Sequence, residues 1–184
     1  MKYGTIVADP PWAYKTDKPT STSNKPHTLP AAIKQYPTLS PSEIQSLRGI
    51  RELSAADAHL YLWITNPMIP YGIDLMDAWG FRYVTMLTWR KLGTLGLGYY
   101  FRGDTEHVMF GVKGKAPIPP ADRVRNWFEA KKTGHSIKPD VLYEIAEKVS
   151  PAPRIELFAR RAAKAGTRGV MKRQPRRLLK SRKS

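Results

Sequence analysis

At 184 residues, 41% of them hydrophobic and 10% aromatic, the chain has the apolar content for one packed core and too little length for two, which excludes wholesale disorder. It contains no cysteine, which excludes a disulfide scaffold, a cysteine-ligated zinc site and a thiol nucleophile and suits a reducing compartment. Its 31 Lys and Arg against 15 Asp and Glu give +16 and point to a polyanionic partner; 11 of the cations and no acid fall from Arg160 onward, so the first 159 residues carry only about +5.

In chain order, residues 4–8 (GTIVA) read as a short buried strand that ends at Asp9, where two prolines cannot continue a ladder. Residues 14–37 are rich in Lys, Thr, Ser, Asn and Pro without an apolar period and are expected to form a long loop. Ser40-Pro41-Ser42-Glu43 has the form of a capping box with proline at the first helical position, predicting a helix to about Leu47. Residues 59–65 (HLYLWIT) suit a strand covered on both faces. Ile73, Met76 and Asp77 have helical spacing, with Gly80 as a C-cap. Two further strands are expected at 83–89 and 107–112, joined by a connection through Gly93, Gly96 and Gly98. After a loop over 117–125, Lys138-Pro139-Asp140 opens an amphipathic helix carrying Val141, Leu142, Ile145, Ala146 and Val149. Residues 154–158 (RIELF) close the series as a last strand.

Strands alternating with helices imply an α/β domain over residues 1–162, with a mostly parallel sheet and helices on both faces; ligands are then expected beyond the carboxyl ends of the strands. Residues 163–184 are expected to be a basic, flexible tail, Pro175 interrupting any helix there. No apolar run approaches the about 20 residues that span a bilayer, and the start MKYGTIVADPPW lacks a signal-peptide layout, so a cytoplasmic protein with no membrane association is expected. No metal site, GxGxxG or phosphate-loop pattern is present in the sequence.

Asp9-Pro10-Pro11-Trp12 is the segment that carries chemistry. It combines an acceptor carboxylate, two rigid residues with free carbonyls and a flat ring, a set suited to an aromatic amine. The exocyclic amine of adenine is a poor nucleophile because its lone pair is delocalised into the ring. If Asp9 and the Pro10 carbonyl accept its two hydrogens, the nitrogen can pyramidalise toward an electrophile. Pro11 and Trp12 would hold the base by stacking. Read without wider context, the same four residues also suit an ordinary proline turn with a core tryptophan.

Ordered blocks supply that context: VADPPW at 7–12, YPTLS at 36–40, LYLWITN at 60–66, AWGF at 78–81, TWRK at 88–91, Glu106-His107 leading to GVKG at 111–114, HSIKPD at 135–140 and IELFAR at 155–160. In these the chain resembles the N6-adenine methyltransferases related to the catalytic subunit of the messenger-RNA adenosine methyltransferase, a family with bacterial and phage members. The resemblance implies a Rossmann-like fold that uses S-adenosylmethionine, with the catalytic strand before the cofactor strand. It also implies that Asp9 lies between target amine and sulfonium and touches the methionine ammonium. By the same resemblance Lys138 pairs with the methionine carboxylate, Glu156, Phe158 and Arg160 line the ribose side, and Tyr36 and Lys91 face the substrate. Trp63, Trp79 and Trp89, set in apolar runs, are expected in the core, and Glu106-His107 is expected to be a strand-edge pair. After Arg160 the chain departs from the family, since residues 165–170 (AGTRGV) lack its usual Gly-Trp and Gly-Asn.

These readings predict an adenine-N6 methyltransferase acting on DNA, given the basic arm and the absence of a separate RNA-binding module in the sequence. RNA is the alternative substrate, a catalytically silent nucleic-acid-binding protein the alternative class, and a protein partner or self-association is compatible with both. N4-cytosine methylation is disfavoured, because serine usually heads the corresponding tetrad there.

Overall fold

The computed structural model describes residues 1–13, 38–47, 49–93, 95–96, 100–134 and 137–159, together with the backbone of the strand Lys172–Gln174. The loop expected at 14–37 with Tyr36, Gly98 of the glycine-rich connection, the His135-Ser136 pair, Arg160, and the tail expected at 163–184 apart from 172–174 lie outside these residues. The amino-terminal apolar run forms β1 (Tyr3–Ala8). Ser40 caps α1 (Pro41–Gln45) through the expected box: its hydroxyl accepts from the Glu43 N–H, and the Glu43 carboxylate accepts from the Ser40 N–H at 2.8 Å. A second short helix, α2 (Gly49–Leu53), leads directly into β2 (Ser54–Ile64). Then follow α3 (Ile69–Ala78), β3 (Arg82–Leu92), β4 (Thr105–Lys113), β5 (Trp127–Lys131), α4 (Val141–Val149) and β6 (Arg154–Leu157). The strand Lys172–Gln174 is β7.

The strands form one mixed sheet in the order β5-β3-β4-β2-β1-β6-β7, in which every pairing is parallel except the two made by β4. The strand character of 107–112 was legible, its direction less so. Residues 93–104 have no apolar period for a crossover helix, so β4 returns antiparallel beside β3. Side-chain alternation then divides the core in two. Ile6, Leu60, Leu62 and Ile64 face Ile44 of α1, Ile50 of α2 and Leu75 of α3. Val7, Tyr61, Trp63, Trp89 and Val108 point to the other face, against Leu142 and Ala146 of α4. Helices therefore cover both faces, and Trp63, Trp79 and Trp89 are buried as expected.

β5 escapes sequence reading because only Phe128 of its five residues is fully buried; as an edge strand it needs one apolar face at most. The basic segment at the carboxyl end contributes β7, which pairs in parallel with β6.

Leu62 is fully buried at the centre of the first core. Leu62→Ala is expected to lower unfolding free energy by about 2–5 kcal/mol in urea denaturation, whereas a loss below about 1 kcal/mol would show that this layer is not tightly packed.

Candidate active site

Strand order sets the location of the site. From β1 the chain moves on to β2 on one side, and from β6 it moves on to β7 on the other. In sheets of this kind ligands bind beyond the carboxyl ends of two such strands. Asp9 leaves β1 at this point, its N–H donating to the Leu157 carbonyl at 3.4 Å. Phe158 leaves β6 beside it with φ 64°, a left-handed backbone that costs a bulky residue about 1–3 kcal/mol and is concentrated at functional sites.

The antiparallel direction of β4 brings its beginning, not its end, to the same edge. His107 lies opposite Ile64 and Glu106 opposite Trp89. With Lys91 near the end of β3 and Lys138 just before α4, four charged side chains form an alternating row. Lys91 Nζ lies 2.8 Å from Glu106 Oε1, Glu106 Oε2 lies 2.8 Å from Lys138 Nζ, and Lys138 Nζ lies 3.4 Å from Asp9 Oδ1. All four are between 13% and 20% exposed, so these are largely desolvated pairs. Beneath them lie aromatic faces: Lys138 Nζ is 4.7 Å from the Trp63 ring centroid and Lys91 Nζ 5.5 Å from that of Trp89. Burial pushes the Glu106 carboxyl up, but Lys138 and Lys91 outweigh it and hold the group below the ordinary carboxylate range. Burial also holds the neighbouring His107 below the usual imidazole value against the pull of Glu106, and its Nδ1 lies 3.1 Å from the Thr88 hydroxyl.

The tetrad after Asp9 is pinned on several sides. The Pro10 carbonyl accepts from the Trp12 N–H at 2.9 Å, and the Pro11 carbonyl accepts from the Leu39 N–H at 2.8 Å. Pro11 and Trp12, expected to stack on the base, are instead buried: the Trp12 ring packs into the core, because its indole N–H is drawn inward to the Trp63 carbonyl at 3.2 Å. Glu156, opposite Val7 in β6, is buried and accepts from the Tyr143 hydroxyl at 2.8 Å. Phe158 is buried in the first core cluster.

Asp9, Lys91 and Lys138, chosen from sequence, are thus brought into one connected row, and Glu106 is the member that sequence reading set aside as a strand-edge residue. The signal lay in an acid at the start of an apolar strand, but it becomes legible only once β4 is known to run antiparallel. Among the described residues, no group of three or more His, Cys, Asp and Glu could hold a metal ion, and no helix is long and apolar enough to cross a membrane.

The direction of the Glu106 shift fixes the sign of a pH effect. A carboxyl held below its unfolded value contributes stability above about pH 4.5, and that contribution is lost as pH falls through the folded value. Urea midpoints measured between about pH 5 and pH 3 should therefore fall less steeply for Glu106→Gln than for the wild type. Parallel curves would show that the two lysines do not stabilise the ionised carboxylate.

Similarity to known proteins bears on this geometry. The MT-A70 family matches residues 3–170. The chain is 36% identical over 171 residues to the type II methyltransferase M.MunI of Mycoplasma sp, an alignment covering 86% of this chain and 72% of that protein. It is 30% identical over 173 residues to an N(6)-adenosine-methyltransferase MT-A70-like protein of Drosophila melanogaster and 29% over 167 residues to the N(6)-adenosine-methyltransferase catalytic subunit METTL3 of Homo sapiens. The chain spans only 24% and 26% of the length of those two relatives. The family match takes in all the ordered motifs and continues to residue 170, through the segment expected to depart from the family, and the chain belongs to the MT-A70 family of S-adenosylmethionine-dependent methyltransferases.

Proposed function

We propose that this chain methylates the exocyclic N6 amine of adenine in DNA, using a Rossmann-like fold in which the catalytic strand β1 precedes the cofactor strand β6. The observation that carries the reading is the placement of Asp9 at the strand-order reversal, 3.4 Å from Lys138 and directly followed by the pinned Pro10-Pro11-Trp12. An aromatic amine needs acceptors for its two hydrogens. The Asp9 carboxylate supplies one, and the Pro10 carbonyl, which spends one lone pair on the Trp12 N–H, keeps a second. Pro11 and Trp12 are buried and fix the tetrad, Trp12 through its bond to Trp63.

The donor set fits the cofactor. A methionine zwitterion requires an anion for its ammonium and a cation for its carboxylate, and Asp9 and Lys138 offer that pair in one crevice. Glu156 and Phe158 at the end of β6 would face its ribose side, with Arg160 as a further contact. Bound S-adenosylmethionine supplies an electrophilic methyl group on a sulfonium. Lys91, held against Glu106 at the substrate side, and Tyr36 would contact the adenine or its phosphate. On duplex substrate the base must first be flipped out of the stack.

The relatives named as N(6)-adenosine-methyltransferases support adenine N6 as the target. The higher identity and coverage with the type II methyltransferase support DNA over RNA, and the charge of +16 suits either polyanion. We further propose a methyltransferase domain over residues 1–162, a basic segment over 163–184 that acts mainly as a phosphate-binding arm, and a cytoplasmic location.

Incubation with cofactor and either DNA or RNA, followed by nucleoside mass spectrometry, should find N6-methyladenine in DNA; the product in RNA alone would move the assignment to RNA, and none in either would favour a silent protein. Asp9→Ala should lower turnover by about a hundredfold or more with the fold retained. Lys138→Ala should weaken S-adenosylmethionine by about 1.5–3 kcal/mol in calorimetry, and unchanged affinity would remove Lys138 from the cofactor site. Truncation after Gln174, which keeps β7, should weaken cognate and unrelated duplexes nearly equally and flatten the slope of log affinity against log salt by about 0.9 per lost phosphate contact. A loss confined to cognate duplex would assign base recognition to this segment.

A further inference from the structure

A concavity lies on the face of the sheet that α4 covers, toward the opposite end of the strands from Asp9. It is a cleft of about 740 Å³ whose lining includes Arg82 and Val112, which pair with each other at the far end of β3 and β4. It shares no residue with the row of Asp9, Lys91, Glu106 and Lys138. Leu87, Phe110 and Val112 of the sheet, Ile118, and Ile145 and Val149 of α4 give it apolar walls.

Residues 114–126 form a strap along the cleft, and both ends of the strap are fixed. Gly114 turns at φ 63°, where a side chain would strike the Asp57 carboxylate and the Ala56 carbonyl, and the next N–H, of Lys115, donates to Asp57 at 2.6 Å. The fully buried His59 holds the following residue. Its Nε2 lies 2.7 Å from the Ala116 carbonyl, which can only accept, so Nε2 carries the proton and Nδ1 accepts from the Ser150 hydroxyl at 2.8 Å. Ser150 in turn accepts from the Tyr61 hydroxyl at 2.7 Å. At the other end the Asn126 carbonyl accepts from the Thr88 N–H at 2.9 Å. Pro117, Pro119 and Pro120 stiffen the span between, so the cleft is preformed.

The charges around it are of one sign. Arg82, Lys115, Arg123 and Arg125 line the cleft, and no Asp or Glu does; Asp122, the strap's acid, is not among the lining residues. Among the described residues none of these four cations makes a salt bridge. Val84 and Val124 are 45% and 42% exposed, leaving apolar wall in water. A second copy of this chain would bring +16 against a cationic rim. A nucleic-acid strand would satisfy the arginines but place base edges on an apolar floor. The volume falls within the about 300–1,000 Å³ of small-molecule pockets.

We propose that this cleft binds a small amphipathic anion, its apolar body against Leu87, Phe110 and Ile145 and its carboxylate, sulfonate or phosphate among the rim arginines. The site is independent of the methyl-transfer crevice and of the assignment of its substrate. The test uses the full chain and 8-anilinonaphthalene-1-sulfonate, an apolar body with one anionic group. Saturable binding with enhanced fluorescence is expected. The exposed-rim double variant Arg123→Glu/Arg125→Glu, its fold checked by circular dichroism, should weaken that binding by at least about tenfold. Thr85→Trp, which fills the cleft without changing charge, should also weaken it, and an excess of S-adenosylmethionine should leave it unchanged. Displacement by decanoate identifies a chain carboxylate as the preferred source, and displacement by adenosine monophosphate a phosphate on an aromatic body. Failure to saturate, insensitivity to both cleft variants, displacement by S-adenosylmethionine, or displacement by neither competitor would overturn the proposal.

Discussion

Two acids and two lysines can share a crevice from which most water is excluded only if each charge meets an opposite one. The row Lys91–Glu106–Lys138–Asp9 meets that condition with contacts of 2.8, 2.8 and 3.4 Å. Removing one partner of such a pair leaves an uncompensated buried charge, which typically costs about 3–5 kcal/mol. The fold meets this requirement. The four side chains come from β1, β3, β4 and the approach to α4, so all four elements must meet at one edge, and β4 must run against its neighbours to bring Glu106 there.

Trp63 joins this charged row to the core. Its carbonyl takes the indole N–H of Trp12, its ring faces Lys138, and its edge meets Trp89 at 6.0 Å between centroids, beside which Lys91 sits. An aromatic face receives an ammonium without offering it a competing proton acceptor. The lysines therefore rest on these rings while their hydrogen bonds go to carboxylates. Tetrad, lysines and core are connected through one residue of β2.

What could be read from sequence follows the range of the forces involved. The capping box at Ser40, the burial of Trp63, Trp79 and Trp89, and the strand that delivers Asp9 are set by a few neighbouring residues, and local pattern discloses them. β5 buries too little to leave a pattern, and α2 has only five residues. The role of Glu106 depends on strand direction, which is decided by how a glycine-rich connection returns across the sheet. Phe158 gives no sign in the sequence of its left-handed backbone, since that conformation belongs to glycine and is imposed on Phe158 by its surroundings.

The row has a further property. Two positive and two negative members sum to zero, so beyond a Debye length of about 8 Å it exerts almost no pull on a polyanion. Long-range attraction must come from elsewhere, and 11 cations without an acid lie from Arg160 onward. On the proposed function, capture and chemistry are therefore electrically separate in this chain. Ionic strength should act on the rate of encounter, through kcat/KM, and leave turnover on bound substrate nearly constant, because pairs this close and this dry are shielded from mobile ions.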